Sequence, residues 1–212
     1  MNYNLREIYD ALNKEVILLH SLWISYNDLY GKKEERIRLL NSSASFFFYQ
    51  LQFLFLDEIE LIISKLLDPA DQRTQSNLSL QQLFGKIDNN DLVQQLNSIL
   101  CDLQEKTRNI RKRRNKRLGH FDLNISVKRS AKFFTKSSRK EINGILSEID
   151  NFMNVISSHY FGSITAYEHF SALGNAESLI NCLKRSESYK ILEKQGKIEH
   201  GFWRVHGPFK DD

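Results

Sequence analysis

The stretch KRRNKRLGHFDL, residues 112–123, brings together side chains that could bind phosphate and transfer protons. The guanidinium of Arg114 can hold two phosphate oxygens at once and stays charged at physiological pH. The imidazole of His120 can exchange a proton near neutral pH. These groups suit metal-independent RNA cleavage, in which a ribose 2′-OH attacks the adjacent phosphorus and the phosphorane charge is stabilised. Because that reaction needs both a base and an acid, one such histidine per chain suffices only if two copies of the chain meet.

Basic residues are concentrated around these two side chains. Residues 106–140, the basic segment, carry 14 of the 30 Lys and Arg and one acid, Asp122, a formal charge of +13; the remainder has 16 basic and 25 acidic side chains, or −9. This separation of charge creates a positive electrostatic field that attracts polyanions such as nucleic acid. The clustering of basic residues would also be explained by a solvated helix face, or by contact with the chain's own acidic remainder. The residues expected to bind RNA are Arg111, Lys112, Arg113, Lys116, Arg117, Lys128 and Arg129.

Several other kinds of site have no support in the sequence. There is no Gly-rich phosphate loop, no H-E-x-x-H motif and no carboxylate pair at metal spacing, so we expect neither a metal nor a cofactor. Two cysteines form no disulfide framework, which favours a reducing cytoplasm. No signal peptide and no apolar run long enough to span a bilayer are visible, so no membrane contact is expected.

Helical spacing of apolar residues covers most of the chain, and few glycines or prolines interrupt it. We therefore predict an all-α antiparallel bundle of four to five main helices. The predicted helices run over residues 5–31, over 33–67, from Asn89 or Asn90 into the basic segment, from Ser138 to about Tyr160, and over roughly 175–195. The bundle should occupy residues 1–165, with residues 166–212 forming a C-terminal helix and an aromatic tail packed on it.

Local patterns predict two further details of these helices. Ser79 with Gln82, and Ser138 with Glu141, match the capping box that begins many helices. Residues 46–56, with the sequence FFFYQLQFLFL, are apolar on nearly every side, so they should form the most enclosed helix.

Arg114 is in phase with the apolar stripe of the third long helix. It follows Leu96 by 18 residues, which is five full turns, and it follows Ile110 by four. If the helix extends this far, the guanidinium points into the packed seam and needs an acid, a partner chain or a bound anion. Two alternatives stay open: the helix ends before Arg114, or the side chain extends outward from the end of the stripe. On an undistorted helix the side chains of Arg114 and His120 would point in directions roughly 120° apart around the helix axis. Either the helix breaks at Gly119, or the Arg114 and the His120 that act together belong to two copies of the chain.

The pattern Arg114-Asn115-x-x-x-x-His120 resembles the signature of the HEPN superfamily. The segments Leu67-Asp68-Pro69 and Asn77-Leu78-Ser79-Leu80, before the motif helix, resemble its abortive-infection, or phage-defence, branch. The resemblance covers approximately residues 20–160. It implies an all-helical and usually dimeric protein, and many members are metal-independent ribonucleases whose composite site forms where two motifs face each other.

The resemblance also implies roles for the motif residues. Arg114 would bind and stabilise the phosphate, His120 would act as acid and base, and Asn115 would position a ligand oxygen or the facing motif. Asp122 is close enough in sequence to orient the His120 ring. Toxins of this superfamily that are paired with a nucleotidyltransferase antitoxin usually have a tyrosine at the position of Asp122, so silencing by adenylylation is not expected here.

The sequence thus leads to one main functional hypothesis and two alternatives. The main hypothesis is a metal-independent RNA endonuclease that leaves 2′,3′-cyclic phosphates and acts in phage defence or as a toxin. Its expected partners are RNA, a second copy of the chain, and an antitoxin or regulatory partner. The first alternative is a non-catalytic HEPN-type module that binds RNA, a nucleotide or a protein, and the second is a helical scaffold whose basic segment contacts its own acidic surface.

Overall fold

The computed structural model describes residues 3–72, 75–115 and 137–207. It confirms the prediction of an all-α fold, to which it adds one pair of two-residue antiparallel strands. The helices are α1 Leu5–Tyr30, α2 Glu34–Leu66, α3 Asn90–Lys106, α4 Arg108–Arg113, α5 Arg139–Phe161, α6 Ala176–Lys194 and α7 Phe202–His206. The strands are β1 Asp71–Gln72 and β2 Gln75–Ser76, and 3₁₀ helices cover Leu80–Lys86 and Tyr167–His169. In the described ranges, no helix combines the length and the apolar content that crossing a membrane requires.

The chain divides into two compact units. One comprises residues up to Ile24 together with Phe53–Ser171, and the other comprises Ser25–Gln52 together with residues 172 onward. The division of the chain at residue 165 stays a prediction.

The first unit has a core made of stripes that recur every three or four residues. In α1, Leu12, Val16 and Leu19 have no exposed surface, and α3 and α5 each bury an apolar stripe in the same way. Because a period of 3.6 residues puts such positions on one helix face, these amphipathic sequences fold as helices that bury that face. The buried apolar residues of α3 to α5 are Leu92, Leu96, Ile99, Leu100, Leu103, Ile110, Ile142, Ile145, Leu146, Ile149, Phe152, Met153 and Ile156.

The second unit contains an ion-pair network at the first turn of α6. The carboxylate of Glu177 accepts hydrogen bonds from Lys32 Nζ at 2.8 Å and from a terminal nitrogen of Arg36 at 2.6 and 2.9 Å. These cations hold the pKa of Glu177 below its usual range. Nearby along the chain, the Tyr30 hydroxyl donates to the Phe48 carbonyl at 2.8 Å, and burial raises the pKa of Tyr30 to about 12.

The helix start predicted at Asn89 and the capping box predicted at Ser138 are confirmed. The Asn89 side chain accepts from the Leu92 amide at 3.1 Å, and the Ser138 hydroxyl accepts from the Glu141 amide at 3.2 Å. Glu141 completes the capping box by accepting from the Ser138 amide at 2.7 Å, and these hydrogen bonds lower the pKa of Glu141.

The predicted capping box at Ser79 is wrong. The buried Ser79 hydroxyl has no hydrogen-bond partner among the described residues, and the Gln82 amide donates instead to the Ser79 carbonyl at 3.0 Å. That contact is the i to i+3 bond of a 3₁₀ helix, so it occupies the amide with which a capping side chain would have bonded.

The prediction that residues 46–56 form the most enclosed helix is also wrong. Phe46, Phe47, Tyr49 and Leu54 are between 57% and 71% exposed, whereas Ile59 on the same helix has no exposed surface. A helix that is apolar on every side still packs through only the face that meets a neighbour, and periodicity does not say how many neighbours it has. Helix α2 is also interrupted at Ala44, whose φ of −155° and ψ of 71° are not helical.

Candidate nucleic-acid site

The helix that leads to the candidate motif is interrupted once. Helix α3 ends at Lys106 and α4 begins at Arg108, with the buried Thr107 between them. The Thr107 hydroxyl donates to the Leu103 carbonyl at 2.7 Å, a contact with the preceding turn that commonly bends helices. Ile110 nevertheless remains buried, so the apolar stripe continues past the break.

Arg114 turns inward and pairs with an acid. A terminal nitrogen of its guanidinium donates to the carboxylate of Asp68, two residues beyond the end of α2, and each side chain is 23% exposed. The Arg114 Nε atom is buried and has no hydrogen-bond partner among the described residues. The acid that an inward-pointing Arg114 would require is thus present, although α4 itself ends at Arg113, as one of the two alternatives had it. Arg114 and Asn115 lie in a wider, π-type turn, which follows the end of α4.

Arg113 makes a second and more deeply buried ion pair. Its Nε and a terminal nitrogen donate to the two carboxylate oxygens of Glu60 at 3.1 and 2.6 Å. The same terminal nitrogen donates to the Ser137 hydroxyl at 2.9 Å. The side chains of Arg113 and Glu60 are 12% and 3% exposed. This guanidinium, which the sequence assigned to RNA binding, is thus engaged within the fold.

The other described residues that the sequence assigned to the site are exposed or half-buried. Lys112 and Asn115 are exposed and Arg111 is half-buried. Within the described part of the chain, the structure pairs neither Arg111 nor Lys112 with an acid, so both charges are available to an anion. The remaining residues assigned to the site lie outside the described residues; they are Lys116, Arg117, His120, Asp122, Lys128 and Arg129.

The family model described as HEPN_AbiU2: AbiU2 matches residues 3–179, which is most of the chain. The chain belongs to the HEPN_AbiU2 family. Neither a curated protein nor a solved structure matches it. HEPN_AbiU2 is a HEPN-family domain associated with abortive infection, so the resemblance to that branch is confirmed, and the match extends beyond the motif segments that first indicated it.

In this HEPN_AbiU2 chain, sequence reasoning missed the two acids that hold the adjacent arginines. Glu60 is 2% exposed within the apolar second half of α2, and Asp68 belongs to the Leu67-Asp68-Pro69 segment. A carboxylate among buried helix positions is costly unless it is paired, so Glu60 carried a signal that a cation lies opposite. Which arginine pairs with which acid depends on how α2 packs against α4, and periodicity alone cannot supply that.

The HEPN_AbiU2 chain has one further histidine and carboxylate pair. His20 Nε2 lies 2.7 Å from Asp150 Oδ1, and the His20 ring stacks on Tyr167. The His20 side chain is only 5% exposed, so a substrate has no access to it and the pair is structural. In the described ranges, no three His, Cys, Asp or Glu side chains lie close enough together to hold a metal ion.

Proposed function

We propose that this abortive-infection HEPN protein is a metal-independent RNA endonuclease that acts in phage defence or as a toxin in the cytoplasm. The observation that supports this most is the complete Arg114-Asn115-x-x-x-x-His120 motif in a chain of the HEPN_AbiU2 family.

The proposed reaction is a transesterification, in which the phosphorus of one phosphodiester exchanges its bond to O5′ for a bond to O2′. A base removes the proton of a ribose 2′-OH as its oxygen attacks the adjacent phosphorus, so that the P–O2′ bond forms. An acid delivers a proton to the leaving O5′ as the P–O5′ bond breaks, leaving a 2′,3′-cyclic phosphate and a 5′-hydroxyl. Arg114 stabilises the charge on the phosphorane oxygens, and His120 supplies the proton transfer.

The proposed active unit is a homodimer. Because each chain offers one motif histidine, the base and the acid would come from two copies of the motif that face each other. Arg111 and Lys112, which are accessible in the described part, would attract the RNA backbone. An antitoxin or other regulatory partner would then act by blocking this surface or the meeting of the two motifs.

One observation favours a second function, a non-catalytic module that binds RNA, a nucleotide or a protein partner. The Asp68 carboxylate neutralises the Arg114 guanidinium in the free chain, as it would if this arginine only stabilised the fold. In that case the exposed basic residues would bind the partner and His120 would be dispensable.

The experiment that separates the two functions is RNA cleavage by the purified chain in EDTA. The wild type is compared with His120→Ala, with Arg114→Lys, and with His200→Ala as a control, since the His200 side chain is 97% exposed and outside the motif. We expect products with 2′,3′-cyclic phosphate ends from the wild type and the control. His120→Ala should still bind RNA but cleave none, and Arg114→Lys should cleave more slowly because lysine lacks the planar fork.

A different pattern would support the binding module. If neither the wild type nor His120→Ala cleaves RNA, but both bind it, the endonuclease proposal fails. Neutralising Arg111, Lys112 and Lys116 together should then weaken binding and reduce its salt dependence, because fewer counterions are released. A chain that sediments as a monomer and binds no RNA would contradict both functions.

A further inference from the structure

A cavity of about 380 Å³ opens beside the Arg114–Asp68 ion pair. Its apolar lining comprises Leu78, which is 43% exposed, and the almost fully buried Ile62 and Leu66 of α2. Its polar lining comprises Glu15 of α1, the exposed Lys65 of α2, Asn77, and Asp68, the acid that holds Arg114. A ligand in this cavity would therefore be adjacent to the guanidinium to which the proposed function assigns a phosphate.

We propose that this cavity takes one base of a single-stranded RNA and selects bases that carry an amino group. The proposal rests on the proposed function, because it requires RNA at Arg114. The cavity has the size for one base and its sugar rather than for a folded partner. An unstacked base has an apolar face that can pack on the partly exposed Leu78, and edges that carry hydrogen-bonding groups.

The preference for an amino group follows from the charge of Glu15. Within the described part of the chain, its half-buried carboxylate makes no hydrogen bond or ion pair, so it is available as an acceptor in the cavity. The N4 amino group of cytosine donates to such a carboxylate, whereas uracil has a carbonyl oxygen at the same place and would be repelled. The Lys65 ammonium in the same lining can donate to the O2 carbonyl that cytosine and uracil share. The two bases are also alike in size, so the Glu15 carboxylate would distinguish them.

A second cavity makes a strand a better ligand than an isolated nucleotide. It has a volume of about 440 Å³, and it shares Asn77 and Leu78 with the first. Tyr3 lies on its lining and is 54% exposed, and an aromatic ring of this kind is a common stacking surface for a base. Two cavities separated by one wall could hold successive bases of the same strand.

The test measures binding of labelled oligo(C) and oligo(U) of equal length by fluorescence anisotropy. The full chain carries His120→Ala so that no RNA is cleaved. Two variants change the cavity: Leu78→Trp fills it from a partly exposed position, and Glu15→Gln removes the charge at constant size. Leu54→Trp is the control, because Leu54 is also an exposed leucine but does not line the cavity.

We expect the parent chain to bind oligo(C) about tenfold more tightly than oligo(U), a ratio typical of one good polar contact to a base. Leu78→Trp and Glu15→Gln should reduce the affinity for oligo(C) to that for oligo(U), and Leu54→Trp should keep the preference. Equal binding of the two oligonucleotides, or a preference that survives both cavity variants, would overturn this inference and leave the endonuclease proposal intact. Loss of all RNA binding and cleavage in the wild type would instead remove the proposed function, and the inference with it.

Discussion

Replacing Glu60 by glutamine should destabilise the chain because it removes the counter-charge of a buried guanidinium. Glutamine keeps the size of glutamate, so the substitution changes charge and hydrogen bonding but leaves no cavity. The new amide would place an N–H group against one of the two Arg113 donors, which now reach the carboxylate oxygens at 3.1 and 2.6 Å. One of these contacts therefore becomes a contact between two donors.

The expected cost can be derived from the burial of the pair. The Glu60 side chain is 3% exposed and that of Arg113 is 12% exposed, so water cannot replace the lost contact. Hydrogen bonds to charged groups contribute roughly 1.5–3 kcal/mol each, so we expect the free energy of unfolding to fall by about 2–3 kcal/mol. Removing both charges together, in Glu60→Gln with Arg113→Gln, should cost less than the sum of the two single changes because no charge is then left unpaired.

The assay is urea denaturation followed by circular dichroism, with the free energy extrapolated to water. Glu148→Gln serves as the control because Glu148 also pairs with a cation, Lys106 Nζ at 2.7 Å, but the two side chains are 28% and 47% exposed. An exposed pair of this kind should contribute less than about 1 kcal/mol, and added salt should weaken it further.

The double-mutant cycle is the decisive comparison. If the effects of Glu60→Gln and Arg113→Gln simply add, or if Glu60→Gln costs no more than Glu148→Gln, then the buried pair is not coupled and the reasoning is refuted.

Two other changes have definite expected outcomes. For Tyr30, folding raises the pKa from 10.0 to about 12, so its contribution to stability is complete below pH 10 and is lost as the pH rises through 12. Between pH 10 and pH 12, the free energy of unfolding should therefore fall less for Tyr30→Phe than for the wild type in a series of urea denaturations. An equally steep fall in the two proteins would contradict a raised pKa for Tyr30. Ser138→Ala should lower the free energy of unfolding by about 1 kcal/mol, because it removes the hydroxyl of a complete capping box. Both variants are compared by urea denaturation, in which Ser188→Ala, in the interior of α6, should have little effect. A similar loss of stability in the two variants would show that the cap does not cause the effect.

Local sequence patterns predicted the helices and the need of Arg114 for a counter-charge well. Asn89 and Ser138 begin helices as expected, since capping depends on residues within one turn of each other. The phase of Arg114 with Leu96 and Ile110 indicated a need for a counter-charge, and Asp68 supplies it, although the helix is interrupted at Thr107 and α4 ends at Arg113. These features depend on the period of a helix, which the sequence contains directly.

The features that could not be predicted depend on contacts between distant elements. Whether Phe46 is buried depends on which elements pack against α2. The sequence pattern does not contain that information, and Phe46 is in fact 71% exposed. The prediction of a capping box at Ser79 was wrong because the residues that follow form a 3₁₀ helix and not an α-helix, and the sequence pattern does not distinguish the two. Asp68 lies 46 positions from Arg114, so no local pattern could identify it as the partner.

Glu60 also joins two distant points of the backbone. Through its carboxylate it holds both the Arg113 side chain and, at 3.4 Å, the Ser137 amide, two residues that are 24 positions apart. Both contacts end on one side chain, so a change at this position of α2 removes an acceptor from the last residue of α4 and from the residue that precedes the Ser138 cap. The start of α5 should consequently become less stable in Glu60→Gln, although α5 itself contains no altered residue.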